Sequence, residues 1–449
     1  MIRDFLNKVY GSGIVCANLR GQRGIPYLSE DKLWALRDAR LRQIVKYAAD
    51  TVPYYQNLFR KEGIDPESIK TVHDLQRIPL VEKATVRKNP RLFISTSREG
   101  KGSIAFTTSG STGEPSTIHH DHDSLLANIA YGERERAVLS AMFGKRVGIR
   151  EAYIVRPRST ITKVWDYYRK HTFASSSRPR LLLDVLQPIE QIVDAFNSFR
   201  PDILVGYGSY LEALFRTLKF KGTRVHLPRV LFYGAECMTD PGKALIEREF
   251  GISVLSMYNA VEAFKIGFLC EARHGFHLHD DLCHVRIMNA NGKDAQPGDK
   301  GQVVISNLVN RGTVLLNYCL GDVASLVTGK CSCGRVLPLL SELEGRVEDI
   351  LFLSNGGFVH PRAVWAVLSQ RNEVLKYQLI QHELERFELR LVTVDYQSYQ
   401  LAVGDILADL RRLLGESAVI ECEYDTALEL EASGKFRPVM SRYKQGVSI

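Results

Sequence analysis

A run of hydroxyl side chains and glycines at residues 106–117, FTTSGSTGEPST, is the segment best suited to hold a phosphate. Glycine lets backbone N–H groups approach an anion because no Cβ stands in the way. Nests of such N–H groups, assisted by Ser and Thr hydroxyls, bind phosphate. A Walker A motif is excluded, since that motif places Lys after its second glycine, whereas Gly113 is followed by Glu114. The run alone leaves two interpretations open, a phosphate loop and a flexible polar turn.

Thiols and imidazoles form a second pattern. The eight cysteines are spread over a long chain and do not have the spacing of a disulfide framework. Cys331 and Cys333 stand one residue apart, and the segment 270–279 adds one cysteine and three histidines, Cys270, His274, His277 and His279. Thiolate and imidazole are the preferred ligands of tetrahedral zinc, and four of them make a closed structural site. The alternative is a set of reduced, buried thiols.

A third cluster, HDHD at residues 120–123 preceded by His119, is also rich in metal-ligand side chains. It directly follows the phosphate-type run, where we expect a β-hairpin strand to lead into a helix capped by Asp123. Alternate side chains of a strand point to opposite faces of the sheet. We therefore do not expect these histidines to converge on one metal ion.

The elements that must position these residues follow from hydrophobic periodicity. Helical spacing of apolar residues predicts helices over 31–62, 120–140 and 186–200. Short apolar runs predict buried strands at 152–155, 203–205, 229–232 and 254–255. Strands that alternate with helices indicate an α/β fold with a largely parallel sheet. From about residue 284 the pattern becomes a β-rich meander, and a strand at 388–392 with a helix near 402–414 predicts a small α+β unit at the end.

Five further motifs follow the first run in a fixed order: FYGAE at 232–236, SMYNAVE at 256–262, YCLGD at 318–322, GRVED at 345–349 and SGK at 433–435. Their order and spacing resemble the adenylate-forming superfamily of acyl-CoA synthetases, luciferases and peptide-synthetase adenylation domains. The resemblance covers essentially the whole chain. VPYY at 52–55 and IPL at 78–80 are typical of its phenylacetate–CoA ligase branch. Each motif is weak by itself, whereas six in order are specific.

The resemblance implies both a fold and a reaction. The fold is α/β, with a large N-terminal domain over 1–346 that binds ATP and acid and combines parallel and mixed sheets, helices and a β-rich subdomain. A small, mobile α+β C-terminal domain over 347–449 acts as a lid. The reaction is ATP-dependent activation of a carboxylic acid to an acyl-adenylate, followed by thioester formation with CoA and release of AMP and pyrophosphate. The lid turns about a hinge at Glu348 and carries the catalytic Lys435.

The resemblance also implies the residues of the nucleotide site. Tyr258 lies against the adenine, because aromatic stacking accepts any base, and Asp322 accepts hydrogen bonds from the ribose. Glu262 holds Mg²⁺ beside the phosphates, since hard cations bind carboxylate oxygen. The catalytic residues are Lys435, Glu262 and Arg346. The cofactor-binding residues are Thr107, Thr108, Ser109, Gly110, Ser111, Thr112, Gly113, Gly234, Ala235, Glu236, Tyr258, Asn259, Asp322 and Arg346.

Some relatives in the same branch carry zinc on a Cys, His, Cys, Cys set. That match implies the ligands Cys270, His277, Cys331 and Cys333, with His274 and His279 as rival imidazoles.

Two departures and one longer segment qualify the resemblance. Relatives often have Lys where this chain has Glu114, and Thr where it has Val261. At 353–361 the chain reads LSNGGFVHP, one residue longer than in phenylacetate–CoA ligases and more similar to a CapK-like branch associated with capsular polysaccharide genes. Its Asn355-Gly356 pair predicts a type I′ turn. Because this segment lines the pantetheine path in CoA ligases, the acceptor could also be an amine or a hydroxyl. A third interpretation is a degenerate nucleotide- and zinc-binding scaffold without activity.

Composition sets limits on partners. The 449 residues with 45% hydrophobic content can form one large core and a smaller domain. The net charge of +8 favours polyanionic partners such as ATP and CoA. We expect no nucleic-acid groove, since no basic run is interleaved with aromatics, and no membrane span. The N-terminus lacks a signal-peptide pattern, so we expect a cytoplasmic enzyme. The acid is unidentified, Tyr207 and Tyr210 allow an aromatic ring, and a homodimer is compatible with the sequence.

Overall fold

A computed structural model describes residues 2–98, 102–107, 116–144, 147–173, 179–346, 349–368, 371–429 and 436–443. Its α-helices are α1 (Ile2–Leu19), α2 (Glu30–Thr51), α3 (Pro53–Glu62), α4 (Lys83–Lys88), α5 (His122–Tyr131), α6 (Glu133–Phe143), α7 (Thr160–His171), α8 (Ile189–Phe199), α9 (Gly208–Lys221), α10 (Asp240–Phe250), α11 (Pro361–Leu368) and α12 (Tyr396–Leu414). Short 3₁₀ turns lie at Ile25–Tyr27, Pro66–Ser68, Val72–Arg77, Pro90–Phe93 and Thr96–Arg98.

The strands, in chain order, are β1 (Ile104–Thr107), β2 (Thr117–His120), β3 (Glu151–Ile154), β4 (Arg180–Leu183), β5 (Ile203–Tyr207), β6 (Val230–Gly234), β7 (Ser253–Tyr258), β8 (Gly267–Leu269), β9 (Phe276–Leu278), β10 (Cys283–Met288), β11 (Gly301–Asn307), β12 (Tyr318–Ala324), β13 (Leu326–Val327), β14 (Leu339–Leu340), β15 (Gly345–Arg346), β16 (Leu351–Phe352), β17 (Phe358–Val359), β18 (Val374–Glu383), β19 (Arg386–Thr393), β20 (Val419–Tyr424) and β21 (Val439–Ser441).

The chain divides into two compact units. The first contains residues 1–147, 158–178 and 257–342, and the second contains residues 148–157, 179–256 and 343–449. The predicted boundary after residue 346 stays a prediction. The mixture of helices with parallel and mixed sheets confirms the predicted α/β fold class.

The first unit is built from α1 to α7 and from antiparallel sheets. Strands β10, β11 and β12 form one meander, with a bulge between Gln302 and Val304. The last residues of β7 pair with β8, followed by β9, β14 and β13 in a second antiparallel set. A hairpin of β1 and β2 forms a third. The sheet-rich part beyond residue 284 therefore matches the predicted meander.

A buried ionic cluster connects helices to strands within this unit. Arg134 of α6 donates to both carboxylate oxygens of Asp281, at 2.6 and 2.9 Å, and both side chains are inaccessible to solvent. Arg40 of α2 donates to the same carboxylate at 2.6 Å. These two guanidinium groups hold the pKa of Asp281 at about 2 although burial alone would raise it. Removing one partner of such a buried pair leaves an uncompensated charge, which costs about 3–5 kcal/mol.

The second unit has a parallel sheet in the order β4, β3, β5, β6, β7. Short apolar strands such as β6, buried at four of five positions, suit a sheet covered on both faces. The C-terminal part adds a four-stranded sheet in the order β20, β19, β18, β21 together with α11 and α12. Leu379, Leu389 and Ile406 are fully buried in the core between this sheet and its helices.

Two local predictions are wrong. The predicted helix over 31–62 is interrupted at Val52, because the residue before Pro53 disfavours helical geometry and Pro starts the next helix. The cap of α5 is Asp121, whose side chain accepts from the N–H groups of Asp123 and Ser124, so Asp123 lies inside the helix. The helix expected near 402–414 is confirmed, and it begins earlier, at Tyr396, where Asp395 caps it.

The turn at Asn355-Gly356 is also not the predicted type I′. Gly356 N–H donates to the Leu353 carbonyl at 3.0 Å, and Leu353 N–H donates to the Gly357 carbonyl at 2.9 Å. Gly356 has φ +80°, while Asn355 does not adopt positive φ. A type I turn followed by a left-handed glycine therefore closes the hairpin, because the longer loop makes room for a bulge.

Candidate nucleotide site and cysteine–histidine cluster

The hairpin of β1 and β2 lies on either side of the predicted phosphate loop. Thr107 ends β1 and pairs with Thr117, the first residue of β2. Thr108, Ser109, Gly110, Ser111, Thr112 and Gly113 lie outside the described residues, as do Glu114, Glu348 and Lys435. The end of β1 and the start of β2 therefore lie directly before and after the run that is predicted to bind phosphate.

A neutral histidine connects this hairpin to the next motif. His120 Nε2 lies 2.6 Å from the Val261 carbonyl oxygen, to which the neutral ring donates. Burial lowers the pKa of His120 to about 4, so the ring is uncharged near neutral pH. The Phe106 ring packs edge-on against Phe264 at 5.2 Å. A histidine that looked like a metal ligand in the sequence thus positions the SMYNAVE segment.

Tyr258 and Asp322, two predicted nucleotide contacts, meet directly. The Tyr258 hydroxyl donates to Asp322 Oδ2 at 2.7 Å, although the residues are 64 positions apart in the chain. Tyr258 ends β7 and Asp322 lies in β12. The Asn259 amide, oriented with its nitrogen toward the carbonyls of Tyr258 and Phe264, bonds both at 3.0 and 2.6 Å. The loop that follows β7 is therefore held by its own polar side chain.

Glu262 lies in a buried, polar environment in the same unit. It is 6% exposed, and its carboxylate accepts a hydrogen bond from the Tyr318 hydroxyl at 3.3 Å. Burial raises the pKa of Tyr318, and the adjacent carboxylate raises it further, so the phenol stays protonated and donates. Asn307 fixes the backbone at this point by donating to the Glu262 carbonyl at 2.9 Å. A buried carboxylate fixed in this way fits a hard cation.

Lys83 is a candidate that the sequence motifs do not identify. Gly321 has φ +84°, and a Cβ at that position would lie 2.8 Å from Lys83 Nζ. The lysine at the start of α4 therefore approaches the backbone next to Asp322. It is also close enough to Cys319 to lower the pKa of that thiol, against the larger effect of burial. No local sequence pattern around Lys83 indicates this contact, because Lys83 and Gly321 are more than 230 positions apart in the chain.

In the second unit, the FYGAE motif runs from the end of β6 into a strained turn. Ala235 has φ +64°, a left-handed conformation that is unfavourable for a residue with Cβ and common at functional sites. Glu236 follows and accepts a hydrogen bond from the Ser209 hydroxyl at the start of α9. Its other oxygen accepts from the backbone N–H of Phe436 at 2.6 Å. Phe436 is the residue immediately after the predicted catalytic lysine.

Two further residues lie close to the turn that contains Glu236. The Cβ of any residue replacing Gly208 would lie 2.5 Å from the Cys237 carbonyl, so α9 packs closely against this turn. Lys376 of β18 places its Nζ 3.9 Å from the centre of the Phe436 ring. Burial lowers the pKa of Lys376 to about 8, while Glu236 opposes that shift. Lys376 was not identified by sequence reasoning, since it belongs to no motif.

Arg346 forms the short strand β15 with Gly345 and is half-buried. Gly345 has φ +130°, and a Cβ there would lie 2.8 Å from the Pro361 ring. The role of Arg346 toward a nucleotide stays a prediction.

The cysteine–histidine cluster is brought together as predicted. Ligand atoms of Cys270, His277, Cys331 and Cys333 all lie within 4.8 Å of one another. The Cys270 and Cys331 sulfurs are 3.6 Å apart, and Cys333 Sγ is 3.3 Å from His277 Nε2. A tetrahedron with Zn–S bonds of about 2.3 Å has sulfur–sulfur edges of about 3.8 Å. The donor set and its spacing therefore fit zinc.

The rival histidines lie elsewhere. His274 is exposed, and His279 is buried in the ionic cluster, with Nδ1 3.3 Å from Arg134 and Nε2 3.3 Å from Glu135. His119 and His122 also diverge, toward Ser103 and Tyr167 respectively. In the part of the chain that the structure describes, the cysteine–histidine cluster is the one group of side chains arranged for a metal. None of the described helices combines the length and the apolar character needed to cross a bilayer.

The chain is similar to known proteins both in its C-terminal part and along most of its length. The CapK C-terminal domain family matches residues 351–442. The phenylacetate-coenzyme A ligase of Thermus thermophilus is 25% identical over 400 residues, which cover 85% of this chain and 86% of that protein. The corresponding ligase of Aromatoleum evansii is 22% identical over 435 residues, which cover 92% of this chain and 95% of that protein.

Solved structures give the same picture for the fold. A 2-hydroxyisobutyryl-CoA ligase in the postadenylation state, in complex with 2-HIB-AMP, aligns with a TM-score of 0.73 at 16% identity, covering 92% of this chain and 90% of that one. The same ligase in the thioesterification state, with 2-HIB-AMP and CoA, aligns with a TM-score of 0.60 at 17% identity, covering 92% and 91%. The chain is thus similar over most of its length to phenylacetate–CoA ligases, has the fold of adenylate-forming CoA ligases and matches the CapK C-terminal domain family over residues 351–442.

Proposed function

We propose that the protein activates a carboxylic acid with ATP to an acyl-adenylate and transfers the acyl group to CoA. The observation that carries this proposal is the hydrogen bond between Tyr258 and Asp322. A nucleoside site needs an aromatic face for the base beside an acceptor for the ribose hydroxyls. Two motif residues that are distant in sequence would supply this combination, in a chain similar along most of its length to phenylacetate–CoA ligases.

The first step is an in-line displacement at the α-phosphorus of ATP. The carboxylate oxygen of the acid forms the new bond, and pyrophosphate leaves with the electron pair of the broken P–O bond. Both reactants are anionic, so catalysis depends on positioned cations and N–H donors. Hydroxyl and N–H groups of residues 107–113 would hold the phosphates, and Tyr258 would stack on the adenine.

Mg²⁺ would neutralise charge on the phosphate oxygens when bound, and Glu262 is the residue that would hold it. Tyr318 donates to that carboxylate and keeps it oriented. Because Lys83 lies beside Gly321, its ammonium can supply a positive charge on the Asp322 side of the site. This cation offers compensation for the Glu114 and Val261 departures.

Lys435 would bridge the acid and the α-phosphate as a compact point charge. Glu348 would be the hinge about which the small domain turns before the second step, in which the CoA thiolate attacks the acyl carbon and AMP leaves. Arg346 would donate to ribose or phosphate. The acid would be held near Tyr207 and Tyr210 at the start of α9, where an aromatic ring can be accommodated.

A second acceptor class deserves testing because of the C-terminal domain. The match to the CapK C-terminal domain begins at residue 351 and includes the hairpin of β16 and β17, which has an additional residue and a bulged turn. In this alternative, an amine or hydroxyl nucleophile takes the place of the CoA thiol, while adenylation is unchanged.

We further propose that Cys270, His277, Cys331 and Cys333 bind one structural zinc ion. Four protein ligands complete a tetrahedral shell and leave no position open for chemistry. The metal would hold the turn after β8, strand β9 and the loop 331–334 together.

The test separates the two half-reactions. A panel of carboxylic acids, phenylacetate included, is screened for acid-dependent pyrophosphate release, and active acids are then tested with CoA, amines and alcohols. Lys435→Ala should abolish release but spare thioester formation from supplied acyl-adenylate, while Lys46→Ala, on an exposed lysine of α2, serves as a control. Absence of acid-dependent release across the panel would favour the scaffold interpretation. Equal loss of both half-reactions in Lys435→Ala would contradict the role of this lysine.

A further inference from the structure

Helix α1 exposes large apolar side chains to solvent along one face. Ile2 is 79% exposed, Phe5 59%, Leu6 58% and Val9 47%. At about 100° per residue these four side chains fall within an arc of about 100°. We call this surface the α1 apolar face. Single exposed apolar residues are normal, whereas a contiguous set on one helix marks an interaction surface.

The α1 apolar face points to solvent because the opposite side of the helix packs against the rest of the first unit. Gly11 and Val15 are the buried residues of the helix, and they point away from the apolar face. A Cβ at Gly11 would lie 2.1 Å from the His171 carbonyl oxygen, so the helix backbone touches the end of α7. Because this contact leaves no space for a side chain, α1 cannot turn its apolar face inward without losing its packing.

The apolar surface continues onto the segment after α7. The ring of Phe173, 48% exposed, lies 5.9 Å from the ring of Phe5. Lys8 places its Nζ 5.8 Å from the Phe173 ring. The exposed aromatic pair therefore widens the surface on the Phe5 side.

Cations border this surface on both sides. Arg3 lies about 60° beyond Leu6 around the helix, and Lys8 lies about 60° beyond Phe5. The last turn of α7, next to Phe173, adds Arg169 and Lys170. Asp4 is the one acidic residue of α1, and helical spacing places it on the side of Gly11.

We propose that the α1 apolar face binds the surface of an anionic lipid bilayer, with α1 lying in the interfacial plane. An apolar arc flanked by Lys and Arg is the arrangement by which a helix inserts its apolar side chains between headgroups while its cations contact lipid phosphates. The face is thus complementary in both polarity and charge to an anionic membrane, and it needs no bilayer-spanning helix.

A second copy of the chain is a poorer occupant of the same face. A symmetric pair of α1 helices would bring Arg3 and Lys8 of both copies to one small interface. Asp4 is a single carboxylate against these two cations on each helix, so a net positive charge would remain at the interface. Like charges at an interface oppose association, whereas the same cations favour anionic lipid.

The test is sedimentation of the purified protein with vesicles of phosphatidylcholine and phosphatidylglycerol, and with vesicles of phosphatidylcholine alone. We expect binding to the anionic vesicles that weakens as salt increases. Phe5→Asp should weaken binding about tenfold, because it removes an inserted ring and adds a negative charge. Leu401→Asp is the matched control, because Leu401 of α12 is also exposed, at 78%. This variant should bind the vesicles as the wild type does.

Arg3→Glu tests the electrostatic part separately and should weaken binding at least about fivefold. Acid-dependent pyrophosphate release should be unchanged in Phe5→Asp and Arg3→Glu, which shows that both variants are folded. Binding that is equal for both vesicle types, or unaffected by Phe5→Asp, overturns the proposal. A dimer of the wild type that Phe5→Asp converts to a monomer, without vesicle binding, assigns the face to a second copy instead.

Discussion

Glu236 provides the sharpest test of how the C-terminal segment is positioned for adenylation. Its carboxylate accepts from the Phe436 N–H at 2.6 Å, and Phe436 directly follows Lys435 in the chain. We expect Glu236→Ala to release this segment and so to lower the rate of adenylation, the step proposed for Lys435. The Ser209 hydroxyl, which donates to the other carboxylate oxygen, holds Glu236 in place in the wild type.

The expected magnitude follows from the hydrogen bond itself. A hydrogen bond to a charged group contributes about 1.5–3 kcal/mol. If this energy is lost from the adenylation transition state, the rate falls about 10- to 150-fold, since 1.36 kcal/mol corresponds to a factor of ten. Glu236→Gln keeps an oxygen acceptor and should remain within about tenfold of wild type.

The assay measures each half-reaction in a single turnover. Pyrophosphate release reports adenylation, and thioester formation from supplied acyl-adenylate reports the second step. Glu249→Ala, on an exposed glutamate paired with Lys219, is a matched control and should have wild-type rates. Wild-type pyrophosphate release by Glu236→Ala, or an equal decrease in both half-reactions of a folded protein, would refute the positioning role.

Three further outcomes are expected. Lys83→Ala should raise the KM for ATP about fivefold with little change in kcat, because a partly exposed cation contributes about 1 kcal/mol to binding. An unchanged KM would show that Lys83 is not part of the ATP site. Elemental analysis should find one zinc ion per chain, and Cys333→Ser should lower both the zinc content and the melting temperature. The zinc site would be contradicted if wild-type protein purified without chelator contained no metal. The pKa of His120 is about 4 in the folded protein and about 6.5 in the unfolded chain. As pH falls from 6.5 to 4, the unfolded chain therefore binds a proton that the folded protein does not. This protonation should lower the free energy of unfolding by about 3 kcal/mol. This loss should be absent in His120→Gln, and equal pH slopes of the two proteins would show that His120 titrates normally.

The sequence was sufficient for features that depend on local periodicity or on motif chemistry. The strands at 203–205 and 229–232 follow from apolar runs and are found as β5 and β6. The zinc-type ligand set follows from donor chemistry together with the resemblance, and its four atoms meet. Helix ends were less predictable, because Asp121 and Asp123 are both good capping residues and only the structure shows that Asp121 keeps the extended backbone before α5 begins.

Contacts between distant segments could not be predicted. Lys83 reaches Gly321, and Glu236 reaches Phe436 across 200 residues, through packing that no local pattern encodes. The partner of His120 was equally unpredictable: the histidines of its run were not expected to converge on a metal, but the sequence did not show that the buried, neutral ring donates to the Val261 carbonyl. Motif reasoning identifies the residues that face a substrate more readily than those that hold them.

The position of Tyr258 at the end of β7 has a consequence for how the gene can vary. Side chains alternate along a strand, so a shift of one residue turns every following side chain to the opposite face. Deleting or inserting a single codon between Ser253 and Tyr258 would turn the tyrosine away from Asp322 while leaving composition and hydrophobicity almost unchanged. The exposed turn at 290–293, between β10 and β11, carries no such constraint and should accept length changes. Variation in length among natural versions of this protein should therefore accumulate in that turn and be absent from β7.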